Sequence, residues 1–201
     1  MSIVIAESLA GKRVAVTGST GFVGTALVER LLRCVPDCEL ILLVRDGRRT
    51  PAPRRVQKEL LKNDAFDRLR ELHAEPDATE TFAEMTDRRI HTVAGDVSTD
   101  GLGLSDEHRD IWATADVIIH SAATVSFDSP LDRAVEINLL GPTRIARLCH
   151  ELGVTPHLVA VSTCYVAGNR RGNAPEAVSY THLTLPTNTV TWGCGGGGGR
   201  G

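Results

Sequence analysis

Nowhere does the 201-residue chain run roughly 18 apolar residues together, so no membrane-spanning helix is expected. Met1 to Ala10 lacks the basic start and long apolar core of a secretory signal, which leaves the cytoplasm as the expected compartment. There is no basic excess either. The 22 Lys and Arg stand against 25 Asp and Glu, a net charge of -3, and this argues against a nucleic-acid partner. The five cysteines, Cys34, Cys38, Cys149, Cys164 and Cys194, are odd in number and irregularly spaced, which excludes a disulfide framework and makes buried free thiols the expectation. Cys34 and Cys38 lie four apart with no second pair at metal-ligand spacing, so no metal is assigned. What is present is 42% hydrophobic and 23% charged residues, enough for one soluble globular domain with a real core.

The most informative segment follows almost at once. Arg13 to Thr17 reads as a buried strand and Phe22 to Arg33 as an amphipathic helix, with the turn Gly18-Ser19-Thr20-Gly21-Phe22-Val23-Gly24 leading from one into the other. Each glycine has a separate steric task. Gly18 permits the tight turn off the strand, Gly21 lets the main chain approach a phosphate, and Gly24 removes a side chain where helix packs on strand. Free N–H groups of the first helical turn would face the anion. Val23, Ala26, Leu27, Leu31 and Leu32 form the expected apolar face, and Glu39 to Val44 supplies the next strand of a βαβ unit.

Strand and helix then continue to alternate. A basic loop from Arg45 to Pro53 precedes a predicted helix over 54–74, with Val56, Leu60, Leu61, Phe66, Leu69 and Leu72 apolar. Pro76 to Asp87 reads as a connection, Arg89 to Val93 as a strand, Ser105 to Ala113 as a short helix capped by Ser105, and Ala115 to His120 as a fourth strand. Leu131 to Leu152 reads as one long helix, kinked or divided by Gly141-Pro142 and ended by Gly153, before a fifth apolar run from His157 to Ser162. The expected fold class is α/β, a doubly wound parallel sheet covered on both faces.

Strand two ends in Val44-Arg45-Asp46, where an acidic residue would bind the ribose of NAD and an arginine would favour the 2′-phosphate of NADP. Arg45 comes first off the strand, and Arg48, Arg49, Arg54 and Arg55 follow. Guanidinium forks suit phosphate, which favours NADP(H), whereas the bland alternative is a solvated basic loop.

Taken in order, TGSTGFVG, LLVR, the helix RVQKELLKNDAFDRLREL, Gly95-Asp96-Val97, HSAATVSF, INLLGP and VSTCYVAG resemble the extended short-chain dehydrogenase/reductases, in particular the fatty acyl-CoA reductase and thioester reductase branch. The resemblance covers roughly Lys12 to Gly172 and implies a Rossmann-type NAD(P)-binding domain, incomplete at its C-terminal side. It implies that Asp96 and Val97 lie beside the adenine, that Ser121, Ala122 and Ala123 line the cofactor cleft, and that Asn138 supports the active site. Taken singly, Asp96 also suits a plain turn and Asn138 a helix cap or break. The resemblance further makes Thr163 the catalytic hydroxyl that hydrogen-bonds the substrate carbonyl. A threonine ending an apolar strand is otherwise a structural residue.

That family uses a Tyr-x-x-x-Lys pair as proton donor and pKa-lowering partner. Here Tyr165 and Tyr180 are followed four residues on by Asn169 and Thr184, and the only lysines are Lys12, Lys58 and Lys62, so the pair is absent. From about Val178 the chain turns Thr-rich and then Gly-rich, and SYTHLTLPTN resembles translated sequencing adapter. The expectation is therefore a cofactor-binding domain over 1–177, cut from a longer reductase and inactive as it stands, with a non-native, disordered tail over 178–201. The expected substrate of the parent is fatty acyl-CoA or a carrier-bound acyl thioester. A nucleotide-sugar epimerase or dehydratase, a steroid-type dehydrogenase, and a non-catalytic dinucleotide-binding module remain the alternatives.

Overall fold

Strands β1 (Arg13–Thr17), β2 (Glu39–Val44), β3 (Ile90–Ala94), β4 (Val117–His120) and β5 (His157–Ala160) form one parallel sheet in the order β3-β2-β1-β4-β5. The computed structural model describes residues 5–126, 128–163 and 171–173. The chain divides into two units, Met1–Ala160 and Val161–Gly201, and the sheet belongs to the first. The helices are α1 (Ile5–Leu9), α2 (Phe22–Cys34), α3 (Ala52–Arg55), α4 (Asp67–Leu72), α5 (Phe82–Arg89), α6 (Asp106–Ala113), α7 (Leu131–Ala134) and α8 (Leu140–Glu151).

Alternate residues of the central strands feed two separate cores, as the twofold repeat of a strand dictates. Val14, Val16, Leu40, Leu42 and Val44 pack with Val28, Leu31, Leu32, Leu60, Phe66 and Met85 on one face. Ala15, Ile41, Leu43, Val93 and Ile118 pack with Trp112, Ile145 and Leu148 on the other. Both faces are covered, which is why these strands read as unbroken apolar runs rather than alternating ones. The edge strand β5 differs: Leu158 and Val159 remain 38% and 40% exposed.

Several expected elements are corrected. The helix predicted over 54–74 starts earlier, at Ala52, and is interrupted: α3 runs into a π turn at Val56–Leu60, then a 3₁₀ turn at Asp64–Phe66, before α4. Asn63 causes the break, because its extended backbone lets its side chain accept the Ala65 N–H at 2.9 Å, a local bond that competes with the helix. The guanidinium of Arg70 then donates to the carbonyls of Leu61 and Asn63. The supposed connection over Pro76 to Asp87 instead contains most of α5. Its signal was readable as Thr81-Phe82-Ala83-Glu84, a capping box in which Thr81 Oγ1 accepts the Glu84 N–H and Glu84 Oε2 accepts the Thr81 N–H.

The long helix does not divide at Gly141-Pro142 as expected. The division falls just before them, in a π turn at Val135–Leu139 where the Leu140 N–H reaches back to Val135 O. Pro142 has no N–H for the carbonyl four residues earlier, and widening the preceding turn accommodates that loss. On α2 the buried face is Gly24, Thr25, Val28, Glu29, Leu31 and Leu32, whereas Val23 is 52% exposed and Ala26 is exposed. The face is thus rotated from the expected one, because the helix start is pressed onto the glycine turn. Ser105 caps α6 as predicted, accepting the His108 N–H.

Candidate functional site

The sheet register makes the carboxyl ends of the strands level. Thr17 lies opposite both Leu43 and His120, and Val44 opposite Ala94. The loops leaving β1, β2, β3 and β4 therefore open at one end, around the β1/β4 junction where strand order reverses. Open α/β sheets bind their ligands there.

At that junction Gly18 has φ +74, and a Cβ on it would sit 2.7 Å from Ala122 N and 2.8 Å from the carbonyl carbon of Ser121. A side chain at 18 is excluded twice, by backbone conformation and by the loop after β4. A Cβ on Gly24 would overlap Gly18 O, so this glycine lets the helix pack on the turn itself rather than on a strand. Gly21 is the residue before α2, with its N–H bonded to Gly18 O at 3.0 Å, and no side chain caps the first turn of the helix. Ser19 is buried, at 1% exposure, and its Oγ has no hydrogen-bond partner among the described residues. Thr20 is half-buried and Phe22 is 95% exposed. Uncapped N–H groups and a free hydroxyl at a helix N-terminus suit an anion.

Below this turn lies a pair that sequence reasoning missed. Thr17 Oγ1 and His120 Nδ1 are hydrogen-bonded at 2.7 Å, both residues buried, and Thr17 Oγ1 also accepts the Ala122 N–H at 3.2 Å. Ser121 Oγ donates to Thr17 O at 2.8 Å. The two strand ends are locked together, so the loop carrying Ser121, half-buried Ala122 and exposed Ala123 approaches Gly18 at a set distance. Burial lowers the His120 pKa below the ordinary histidine value and keeps the ring neutral. Its one sequence signal is an ionisable residue closing the apolar run Val117-Ile118-Ile119.

Past the ends of β2 and β3, Arg45, Asp46, Gly95, Asp96, Thr99 and His108 line an open cavity of about 440 Å³. Arg45 Nη1 stands 3.7 Å from Asp96 Oδ2, with the Arg45 side chain 57% exposed. Asp46 is engaged within the loop, its Oδ1 accepting the Ala52 N–H at 2.7 Å. Arg55 is likewise committed, donating to Arg45 O and to the Glu59 carboxylate. Asp96 holds its own loop, with Oδ1 accepting from Ser98 N and Oγ, and its N–H donating to Leu102 O at 2.8 Å. Val97 turns the other way: it is 7% exposed, belongs to the second core and faces α8 at Gly141.

Asn138, in the π turn, accepts the Thr124 N–H at 2.8 Å and donates to Thr124 O at 2.9 Å. This two-point clamp fixes the loop that begins at Ser121. Thr163 belongs to the second unit. The buried thiols are as expected for Cys38 and Cys149, Cys34 is half-buried, and Cys164 and Cys194 lie outside the described residues. Among the described residues no His, Cys, Asp and Glu side chains group as a metal site, and no helix is long and apolar enough to cross a membrane.

A parallel sheet in this order, with a three-glycine turn at its reversal point, defines a Rossmann-type domain of the short-chain dehydrogenase/reductase kind. The NAD-binding domain model of the male sterility protein family matches residues 16–190, and the chain belongs to that family. A putative fatty acyl-CoA reductase of Drosophila melanogaster is 34% identical over 163 residues, covering 81% of this chain and 30% of that protein. The chloroplastic fatty acyl-CoA reductase 2 of Arabidopsis thaliana is 33% identical over 177 residues, covering 86% of the chain and 27% of the relative. Among solved structures, the terminal R domain from the myxalamid PKS-NRPS biosynthetic pathway superposes with a TM-score of 0.59 at 30% identity, covering 83% of this chain and 38% of that one. The chain thus spans about a third of the length of the proteins it matches.

Proposed function

We propose that the chain holds NADP(H) and is the cofactor-binding part of an enzyme that reduces fatty acyl-CoA, or a carrier-bound acyl thioester, to aldehyde or alcohol. The observation that carries this reading is the glycine turn, with its helix start lacking a side-chain cap and the buried Ser19 hydroxyl without a partner among the described residues, in a chain about a third identical to fatty acyl-CoA reductases. Residues 1–177 carry the cofactor role, and 178–201 are assigned none.

Gly18, Ser19, Thr20, Gly21, Phe22, Val23 and Gly24 would hold the pyrophosphate, with main-chain N–H groups supplying the donors. Arg45 would take the 2′-phosphate, a role supported by its exposed guanidinium and by the turning of the Asp46 carboxylate toward Ala52. Asp96 and the main chain at Val97 would border the adenosine, and Ser121, Ala122 and Ala123 the nicotinamide side. Asn138 would hold that last loop in place through Thr124. When bound, the nicotinamide supplies hydride. Thr163 would donate a hydrogen bond to the substrate carbonyl, stabilising the negative charge that grows on its oxygen. A proton donor of the Tyr-x-x-x-Lys kind is absent from the sequence, so the chain by itself should bind cofactor without turning over thioester.

Titration of the chain with NADPH and NADH by nicotinamide fluorescence tests the cofactor reading. NADPH should bind more tightly, and Arg45→Ala should remove the preference. Equal affinity for both cofactors would overturn the assignment of Arg45. For the reaction, the full-length enzyme should oxidise NADPH with acyl-CoA, and turnover of a nucleotide sugar alone would overturn the substrate class.

A further inference from the structure

The Arg144 side chain, on α8, is only 12% exposed, and its guanidinium joins two parts of the site that lie far apart in sequence. Nε donates to Asp100 Oδ1 at 2.9 Å, and Nη1 donates to Val97 O at 3.5 Å, both acceptors being in the loop after β3. Nη1 also donates to Glu136 O at 3.0 Å and Nη2 to Glu136 Oε2 at 2.5 Å, both in the π turn. The Asp100 and Glu136 carboxylates raise the Arg144 pKa and keep the side chain charged. Two residues beyond Glu136 in the same turn stands Asn138, clamped to both main-chain groups of Thr124. Gly141 brings α8 alongside Val97 and the His120 ring, with a would-be Cβ 3.5 Å from Val97 Cβ and 3.8 Å from His120 Cε1.

We infer that Arg144 is a positioning residue that couples the adenosine side of the cofactor cleft to the Asn138 clamp on the loop after β4. The inference rests on the cofactor reading above. A planar fork with several fixed N–H directions can hold a carbonyl and a carboxylate on each of two segments at once, which an ammonium point charge cannot. When an adenosine 2′-phosphate ligand settles the loop carrying Asp96, Val97 and Asp100, the same guanidinium settles Glu136, and with it the turn that presents Asn138 to Thr124. The Thr124 N–H is the natural reporter, since its acceptor is Asn138 Oδ1.

Amide hydrogen exchange, followed by NMR on the whole chain with 2′,5′-ADP as probe, tests this. In the unsubstituted chain the probe should slow exchange at Thr124 by about fivefold or more, although it carries no nicotinamide. In Arg144→Gln, Thr124 exchange without probe should rise about tenfold while the core amides of Leu42 and Ile118 hold, and the probe should no longer slow it. Arg144→Lys should fail to restore the response. Should Arg144→Gln not fold, Glu136→Ala and Asp100→Ala each remove the side-chain acceptor from one arm at a partly or largely exposed carboxylate, and either should diminish the response. Undiminished transmission in these variants, or rescue by lysine, overturns the role of Arg144. A probe that binds without slowing Thr124 overturns the coupling alone. A probe that does not bind overturns the cofactor reading and the coupling together.

Discussion

The two ends of the parallel sheet are built on opposite plans. At the amino end nearly every polar group is matched to another. Arg13 pairs with Glu39 at 2.9 Å, Glu39 with His91 at 2.8 Å, and Asp116 accepts from both Lys12 Nζ and the Arg13 N–H. Buried Arg89 donates to the carbonyls of Leu32, Val35 and Cys38, closing the C-terminal turn of α2 and the bend that follows. At the carboxyl end β1 and β4 are tied by the Thr17–His120 pair and by the bonds of Ser121 and Ala122 to Thr17, while Ser19 Oγ has no partner among the described residues, α2 starts without a side-chain cap and a cavity opens beside Arg45. One end of α2 is thus saturated with donors and the other keeps its own donors unused. Polar groups left unmatched at one end of an otherwise matched sheet mark where something else is meant to bind.

That contrast can be broken by substitution. The largest effect is expected from Gly18→Val, which forces a branched side chain into φ +74 and onto the Ala122 backbone. It should cost about 3 kcal/mol or more in urea unfolding and abolish dinucleotide binding. At the other end, Arg89→Met should cost about 3 kcal/mol by stranding three buried carbonyls, yet leave NADPH affinity of the folded fraction unchanged. A loss of affinity there would mean that the two ends are not independent.

A subtler effect sharpens the same division. Ser19→Ala removes no hydrogen bond to a described residue, so the unfolding midpoint should hold within about 0.5 kcal/mol while NADPH binding weakens about tenfold. A large stability loss with affinity intact would reverse the role given to Ser19.

The pH response separates the ends as well. His120 has a folded pKa below its unfolded value, so the unfolded chain takes up the proton first as pH falls. Its contribution is complete above the unfolded histidine value and is lost as pH falls through the folded one. In His120→Gln that acid-side loss should shrink in urea titrations. The carboxylates at the amino end act lower. The His91 contact holds Glu39 below the usual carboxylate range, and the Arg13 N–H does the same for Asp116, so their stabilisation disappears only as pH falls through those depressed values. The smallest effect belongs to Lys12→Ala, an exposed ion pair worth about 0.5 kcal/mol or less.

The strands were legible in sequence because each is a short apolar run bounded by polar residues. Arg13–Thr17 and Glu39–Val44 coincide with their expected limits, and β3, β4 and β5 are displaced or trimmed by one or two residues. Helix interruptions were harder. Asn63 breaks the helix through a bond to Ala65 that competes with the helical one, and the effect of Pro142 emerges one turn earlier, in how the helix rewinds. The glycine turn was readable because a missing Cβ acts on the adjacent backbone, although the partner of Gly18, the Ala122 backbone, was not.

Sequence alone therefore determined what depends on near neighbours: the apolar runs, the Ser105 cap, the turn from Gly18 to Gly24, and the arginine that follows β2. Only the tertiary structure decided which distant residues meet. Thr17 and His120 are 103 positions apart and Arg144 and Asp100 are 44 apart, and no local pattern encodes either pairing. Sheet register brings the first pair together and the packing of α8 the second. Hydrogen bonds act over about 3 Å, so such contacts exist only once the fold has placed their partners within reach.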